Sequence, residues 1–267
     1  MHDNYLVFAS EHGQVKAQVE GCERTKLELA HKELEKERIN EAQRIEWVSE
    51  DVSSFAGAQR ALEQCTVTPD IVFCCAGGAK PGLFVEQSEA DFEAAVKTDY
   101  FTALSTAHVS KEDLMQAAAR AMISKHIEGR IVFVSSVVGM MGLVGYAQYS
   151  PMKFAIRGLA ETLRSEFQMY GIQVQCFFPA TILSPGFEEE QKTKPEITKK
   201  IEEGDDAKTP EECAKCLLRG VQRGHFAITD GLVGRLLKAS SSGSAPCSAM
   251  DLILLLPARV RIVTDLF

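Results

Sequence analysis

Short apolar runs alternate with longer helical stretches over most of this chain. Tyr5–Ala9, Ile45–Val48, Asp70–Cys75, Ile131–Val134 and Val174–Phe178 are brief runs rich in β-branched and aromatic residues, and they read as strands. Between them, Lys26–Arg44 carries charges around a Leu27/Leu34 spacing, which predicts an exposed amphipathic helix with a solvated charged face. Helices are also predicted over Ala56–Cys65, over a long stretch from Asp91 to Lys125, and from Tyr149 to about Tyr170. This alternation predicts an α/β domain built on a doubly wound parallel sheet. Ligands of such sheets sit beyond the carboxyl ends of the strands. Asp51, Ala76, Ser136 and Pro179 all follow strand ends, so the chemistry is expected along one edge.

Candidate chemistry concentrates between Arg130 and Arg157. Ser136 closes an apolar strand, Tyr149 follows thirteen residues later, and Lys153 lies four residues beyond Tyr149. Residues four apart share a helix face, so Tyr149 and Lys153 meet in one environment. Pro151 suits the first turn of that helix, where its missing N–H is no loss. A free tyrosine ionises near pH 10. An adjacent ammonium is expected to lower that value and bring the phenol into working range. Ser136 is expected to hydrogen-bond the substrate oxygen. The three side chains form a proton relay for reducing a ketone or oxidising an alcohol.

At 267 residues and 45% hydrophobic, the chain can bury a full core. A net charge of −8 argues against nucleic acid as a main partner, because phosphate binding needs a basic face. The eight cysteines lack disulfide-framework spacing, and no signal peptide opens the chain, which fits a reducing compartment. Cys74 and Cys75 read as small apolar fillers of a buried strand. Cys213 and Cys216 form one C-x-x-C on a helical stretch with no second pair, so no metal is expected. No apolar run reaches the length of a transmembrane helix. Leu252–Pro257 is apolar but brief, and reads either as a packed strand or as a membrane-associating tail. Ser240–Ser244 has linker composition.

From Asp51 to Gly234 the sequence resembles the short-chain dehydrogenase/reductase family, whose fold is a Rossmann-like doubly wound sheet. Asp51-Val52 resembles the family's pair at the adenine ring, and Cys74-Cys75-Ala76-Gly77 stands where the family has NNAG. Pro179-Ala180-Thr181-Ile182-Leu183-Ser184 resembles its PGxVxT loop over the nicotinamide, and Asp99 stands in place of the tetrad asparagine. The resemblance thus implies Ser136, Tyr149, Lys153 and Asp99 as catalytic residues. It implies Asp51, Val52, Ala76, Gly77, Tyr149, Lys153, Pro179, Ala180, Ile182 and Ser184 as cofactor-binding residues. Within the family, 75–84, 146–155 and 184–195 resemble the 3-ketodihydrosphingosine (3-ketosphinganine) reductases. That finer resemblance implies NADPH-dependent reduction of a long-chain keto-amine lipid at the cytosolic face of the endoplasmic reticulum membrane. It also implies peripheral membrane contact and association as a homodimer or homotetramer.

The resemblance divides the chain into a domain over 1–239 and a linker with a short apolar tail over 240–267. A substrate lid loop falls at 185–206, where Pro185 and Pro195 punctuate a charged stretch; a solvated insertion is the alternative. Val137–Val144 either packs beneath the Tyr149 helix or, through Met140, Met141, Leu143 and Val144, walls a channel for an acyl chain. Two departures stand out. Residues 1–50 are atypical, with no TGxxxGxG or GxGxxG to meet a pyrophosphate, and with Glu11, Gly13, Gly21 and Arg24 scattered in its place. Val109–Gln116 reads as an eight-residue insertion that must bulge out or lengthen its helix. Both fit an alternative gene product. A reductase of another apolar ketone and a non-catalytic, cofactor-deficient relative therefore stay open beside the sphingoid reading.

Overall fold

The structure is a computed structural model that describes residues 4–9, 15–20, 28, 31–32, 35–36, 45–64, 69–108 and 118–241. The strands are β1 (Asn4–Ala9), β2 (Val15–Glu20), β3 (Ile45–Val48), β4 (Ile71–Cys74), β5 (Arg130–Val134), β6 (Gln173–Phe178) and β7 (Ala227–Thr229). They form one sheet in the order β3-β2-β1-β4-β5-β6-β7. The helices are α1 (Phe55–Glu63), α2 (Glu89–Ala95), α3 (Thr102–Ala107), α4 (Ala118–Ser124) and α5 (Ser150–Phe167). Then come α6 (Pro185–Thr193), α7 (Glu196–Glu202), α8 (Pro210–Gln222) and α9 (Leu232–Ser241).

Burial follows the two-residue period of the strands. Val72, Cys74, Ile131, Phe133, Val174, Cys176 and Phe178 join one core with residues of α1, α3, α4 and α5. Phe73, Val132, Phe177 and Ile228 point the other way, onto Cys213 and Val221 of α8. Gln175 shares that second face, and its amide donates to the carbonyls of Val221 (3.1 Å) and His225 (3.2 Å). Helices thus cover both faces, as the alternating pattern predicts, and the fold is the expected Rossmann-like α/β sheet.

One strand departs from the parallel arrangement. β4 to β7 pair parallel, as do β2 and β3. β1 lies antiparallel to both of its neighbours, β2 and β4. Its register pairs Leu6 with Cys74 and Ala9 with Ile71. The amino end of β1 therefore lies beside the carboxyl end of β4, and β1 hands on to β2 at the opposite edge. Here the atypical character of residues 1–50 takes physical form. The strand position from which a phosphate-binding turn would spring is filled by a strand running the other way.

Other elements refine the sequence expectations. Of the segment Lys26–Arg44, the described positions Glu28, His31, Lys32, Glu35 and Lys36 are helical and half-buried or exposed. The long helix expected from Asp91 to Lys125 is not continuous. α2 passes into a π-helical turn, Val96–Phe101, then α3, and the chain becomes extended at His108 before α4. Residues 109–117 lie outside the described residues, but the helices on either side are separate. The charged stretch read as a loop is instead the helices α6 and α7, because Pro185 occupies the first turn of one and Pro195 caps the other. Ser240 and Ser241 belong to the end of α9 rather than to a linker. Glu11, Gly13, Gly21, Arg24 and Leu252–Pro257 lie outside the described residues.

Candidate active site

The site assembles at the carboxyl ends of β4, β5 and β6. Tyr149 is the N-cap residue of α5, and Pro151 sits in that helix's first turn. Ser150, Lys153, Ile156 and Ala160 form the buried stripe of α5, which turns Lys153 inward toward the sheet. Ser135 Oγ donates to the Lys153 carbonyl at 2.9 Å, and Lys153 Nζ donates to the Val134 carbonyl at 3.4 Å. Ser150 Oγ donates to the carbonyls of Val138 (2.5 Å) and Met141 (3.3 Å). These bonds fasten the start of α5 to the segment that follows Ser136.

Asp99 arrives from the π-helical turn, a helical distortion often found at functional positions. Its side chain is fully buried, 3.4 Å from Lys153 Nζ, and Oδ1 accepts the Gly78 N–H at 3.0 Å. Lys153 Nζ also lies 5.1 Å from the centre of the Tyr149 ring. One buried ammonium therefore faces both a carboxylate and a phenol. Gly77 has a positive φ of 156°, and a Cβ there would fall 2.5 Å from Asp99 Oδ1 and 3.0 Å from Lys153 Nζ. Only glycine leaves room for this approach.

At Tyr149 burial dominates over any lowering by Lys153. The Tyr149 phenol is pushed well above its usual value, by burial first, then by the Asp99 and Glu190 carboxylates. The Lys153 charge is already engaged by Asp99, and burial disfavours the phenolate. Asp99 in turn is raised to about 6, burial outweighing the opposing pull of Lys153 and the Gly78 N–H.

The remaining candidate positions divide. Ser136 stands at the β5 terminus, where its Oγ accepts the Val138 N–H (3.3 Å) and donates to the Pro179 carbonyl (3.5 Å). Pro179 O also accepts the Val137 N–H at 2.9 Å, joining the loops after β5 and β6. Ala76 is buried at the end of β4, its carbonyl 3.4 Å from the Thr102 hydroxyl that donates to it. Asp51 is exposed, accepts from Ser53 N–H (3.0 Å) and lies 3.8 Å from Lys97 Nζ. Val52 is a core residue whose carbonyl accepts from Ser105 Oγ. Ile182 pairs with Lys208 in a short bridge. The Ser184 hydroxyl caps α6 by accepting the Phe187 N–H at 3.3 Å, a different engagement from the cofactor contact expected of it.

Several participants carried no sequence signal of their own. Asp230, just beyond β7, accepts the Ala180 N–H at 3.1 Å and so holds the loop after β6. Lys194, within the charged stretch, is buried between Glu190 (2.8 Å) and Glu202 (2.5 Å). Both carboxylates also accept from the Tyr146 hydroxyl, and the Tyr146 ring packs 5.9 Å from that of Tyr149. Gly145, with φ 85°, lets Thr198 and Pro195 pack close, and Thr198 Oγ1 donates to the Val144 carbonyl at 2.9 Å. The pair α6–α7 is thus latched onto the segment leading to Tyr149. Burial opposes the Lys194 charge, yet bonds to Glu190 and Glu202 raise its pKa. Lys194→Met is expected to cost about 1–3 kcal/mol, below the full penalty for breaking a buried pair because both carboxylates keep some solvent contact. Limited proteolysis should show faster cleavage within 185–202; unchanged rates would contradict a latch.

The apolar segment after Ser136 splits between its two readings. Val138 and Met140 are buried, while Met141 and Val144 are exposed. Leu83, Phe84 and Val85 lie exposed nearby on the segment after β4, where Gly82 N–H donates to Gly145 O at 2.9 Å. Ile197 and Ile201 are exposed on α7. The bonds at Gly145 and Val144 join the segments that carry these exposed apolar residues.

One polar atom at this edge is left for a ligand. Asp99 Oδ2 is buried without a hydrogen-bond partner among the described residues, beside the Lys153 ammonium and the backbone of Gly77. At the pyrophosphate end, the described residues include no glycine-rich turn opening a helix, because β1 runs antiparallel there. Among the described residues there is no cluster fit to hold a metal, and no helix is long and apolar enough to cross a membrane.

Comparison with known proteins places this geometry. A sequence profile of the short chain dehydrogenase family matches residues 8–195. The chain is 36% identical over 207 residues to the 3-ketodihydrosphingosine reductase of Cryptococcus neoformans var. neoformans serotype D, covering 76% of this chain and 59% of that protein. It is 35% identical over 229 residues to the 3-dehydrosphinganine reductase of Danio rerio, covering 84% of this chain and 66% of that one. The chain thus spans about three-fifths of the length of the first of these relatives. Among solved structures, the short-chain dehydrogenase of Sphingobium yanoikuyae in complex with NADPH superposes with a TM-score of 0.67 at 19% identity, over 93% of this chain and 85% of that one. The profile match and the curated relatives, with Ser136 at the end of β5 and Tyr149 and Lys153 at the start of α5, lead to one assignment: the chain belongs to the short-chain dehydrogenase family.

Proposed function

We propose that this chain reduces the ketone of 3-ketosphinganine, a long-chain keto-amine, to the alcohol, using NADPH. The observation that carries the reading is the buried Lys153 ammonium set against both Tyr149 and Asp99. The cofactor supplies the hydride. Ala76, Gly77, Lys153, Pro179 and Ala180 would hold its nicotinamide end, with Ile182 and Ser184 bordering the same loop. Asp51 and Val52 would stand nearer the adenine end. Tyr149, protonated at neutral pH, gives its proton to the carbonyl oxygen, and Ser136 orients that oxygen from the end of β5. Lys153 faces the phenolate formed in that step and stabilises it. Exposed Phe84, Val85, Met141, Val144, Ile197 and Ile201 offer an acyl chain an apolar path to the site. These exposed apolar residues suit contact with a membrane surface, the cytosolic face of the endoplasmic reticulum being the location the reading implies.

The test is NADPH consumption by the purified chain against 3-ketosphinganine in detergent micelles, a long-chain ketone without the amine, and a steroid ketone. Turnover confined to the last two would remove the sphingoid reading. A second reading, a relative without catalysis, is favoured by the reversed β1. Calorimetric titration separates the two: heat of binding at or below millimolar NADPH supports the enzyme, and no binding in that range overturns it.

A further inference from the structure

Asp99 occupies the position at which the family resemblance places an asparagine, and its charge changes the electrostatics of the relay. The groups facing Tyr149 and Lys153 come from several elements. α5 contributes Lys153 itself, the π-helical turn contributes Asp99, and α6 contributes Glu190, already bonded to Lys194. Cys75 at the end of β4 and Cys176 in β6 also lie near Lys153. Burial pushes both thiols up, Cys75 to about 12, so neither carries charge near neutrality. Tyr146 is raised too, by burial and then by Glu190 and Glu202, and stays neutral. The balance at the relay is therefore one ammonium against the Asp99 carboxylate, with the Tyr149 phenol competing for the same cation.

We propose that Asp99 sets the direction of proton traffic: by holding Lys153 as its ion-pair partner it keeps Tyr149 a protonated phenol, a proton donor suited to ketone reduction and ill suited to alcohol oxidation. The direction of the reaction rests on the reductase reading above; the electrostatics do not. The geometry is direct. Asp99 Oδ1 lies 3.4 Å from Lys153 Nζ with both side chains out of solvent, and the Tyr149 ring faces the same nitrogen. In a buried site a full negative charge outweighs a neutral phenol as partner of the ammonium. An amide at position 99 would keep the shape and the Gly78 N–H bond but remove the negative charge. The Lys153 ammonium would then favour the phenolate, the arrangement suited to accepting a proton.

The experiment is an ultraviolet titration of tyrosine ionisation in wild-type protein, Tyr149→Phe and Asp99→Asn, without cofactor or substrate. Subtracting the Tyr149→Phe curve isolates the Tyr149 transition. It is expected to fall by about one pH unit or more in Asp99→Asn, which is at least tenfold in the phenolate equilibrium. Asp99→Ser, which keeps a hydroxyl for the Gly78 N–H, is the second variant should the amide fail to fold. A Tyr149 transition unmoved in both variants overturns the proposal. A shifted transition in protein that turns over no ketone upholds the proposal and refutes the reductase reading instead.

Discussion

Tyr149→Phe is expected to lower ketone reduction by about 100- to 10,000-fold, the usual contribution of a positioned proton donor, with folding nearly unchanged. The ring stays where it is, packed 5.9 Å from the Tyr146 ring and 5.1 Å from Lys153 Nζ, and only the oxygen is lost. Burial and Asp99 keep that oxygen a neutral phenol, so removing it takes no charge out of the core. The expected signature is a collapse of kcat with cofactor affinity and thermal midpoint near wild-type. Ser136→Ala should fall less, because Ser136 orients the carbonyl oxygen and gives up no proton. A Tyr149→Phe variant retaining more than about a tenth of the wild-type rate would place the proton donor elsewhere, given the magnitude expected of general acid catalysis.

The parts of this site that local geometry dictates were legible in the sequence. Tyr149 and Lys153 meet because four residues make about one helical turn. The ends of β4, β5 and β6 fall on one edge because parallel strands put their carboxyl ends together. The direction of β1 had no such signature, since an apolar run of six residues reads the same whether the chain then turns back as a hairpin or crosses over as a helix. Lys194 looked like one more solvated charge among Glu188, Glu189, Lys192 and Glu196. Its burial depends on Glu202, eight residues on, and on Tyr146, far behind it in the chain. The Asp99–Lys153 pair likewise joins residues more than fifty positions apart, and Asp230 reaches Ala180 across a similar separation. One local signal was there to read: Ser184-Pro185 opens a helix with a capping serine and a proline in the first turn, which foretells α6.

Lys153→Met should destabilise the fold by about 3–5 kcal/mol at neutral pH, the range seen when one partner of a buried ion pair is removed. Asp99 is then left with the Gly78 N–H bond alone against full burial. The pH dependence follows from the sign of its shift. In the wild-type the Asp99 carboxyl titrates at about 6, above the usual unfolded value near 3.9, so the native state holds the proton more tightly. Stability from this group is fully present below about pH 4 and lost as pH rises through about 6, by roughly 3 kcal/mol, a two-unit shift at 1.4 kcal/mol per unit. Without Lys153 the carboxyl rises further, because the ammonium was the main influence lowering it. The variant should therefore recover stability on acidification over a window that begins at higher pH than in the wild-type. Adding Asp99→Asn should restore much of the loss at pH 7 and flatten the profile, since the amide carries no charge to bury. Urea denaturation of the two single variants and the double variant at pH 5.5, 7 and 8 measures all of this. Additive losses in the double variant would mean that Asp99 and Lys153 do not interact, and both the pair and the proton-directing role assigned to it would fall together.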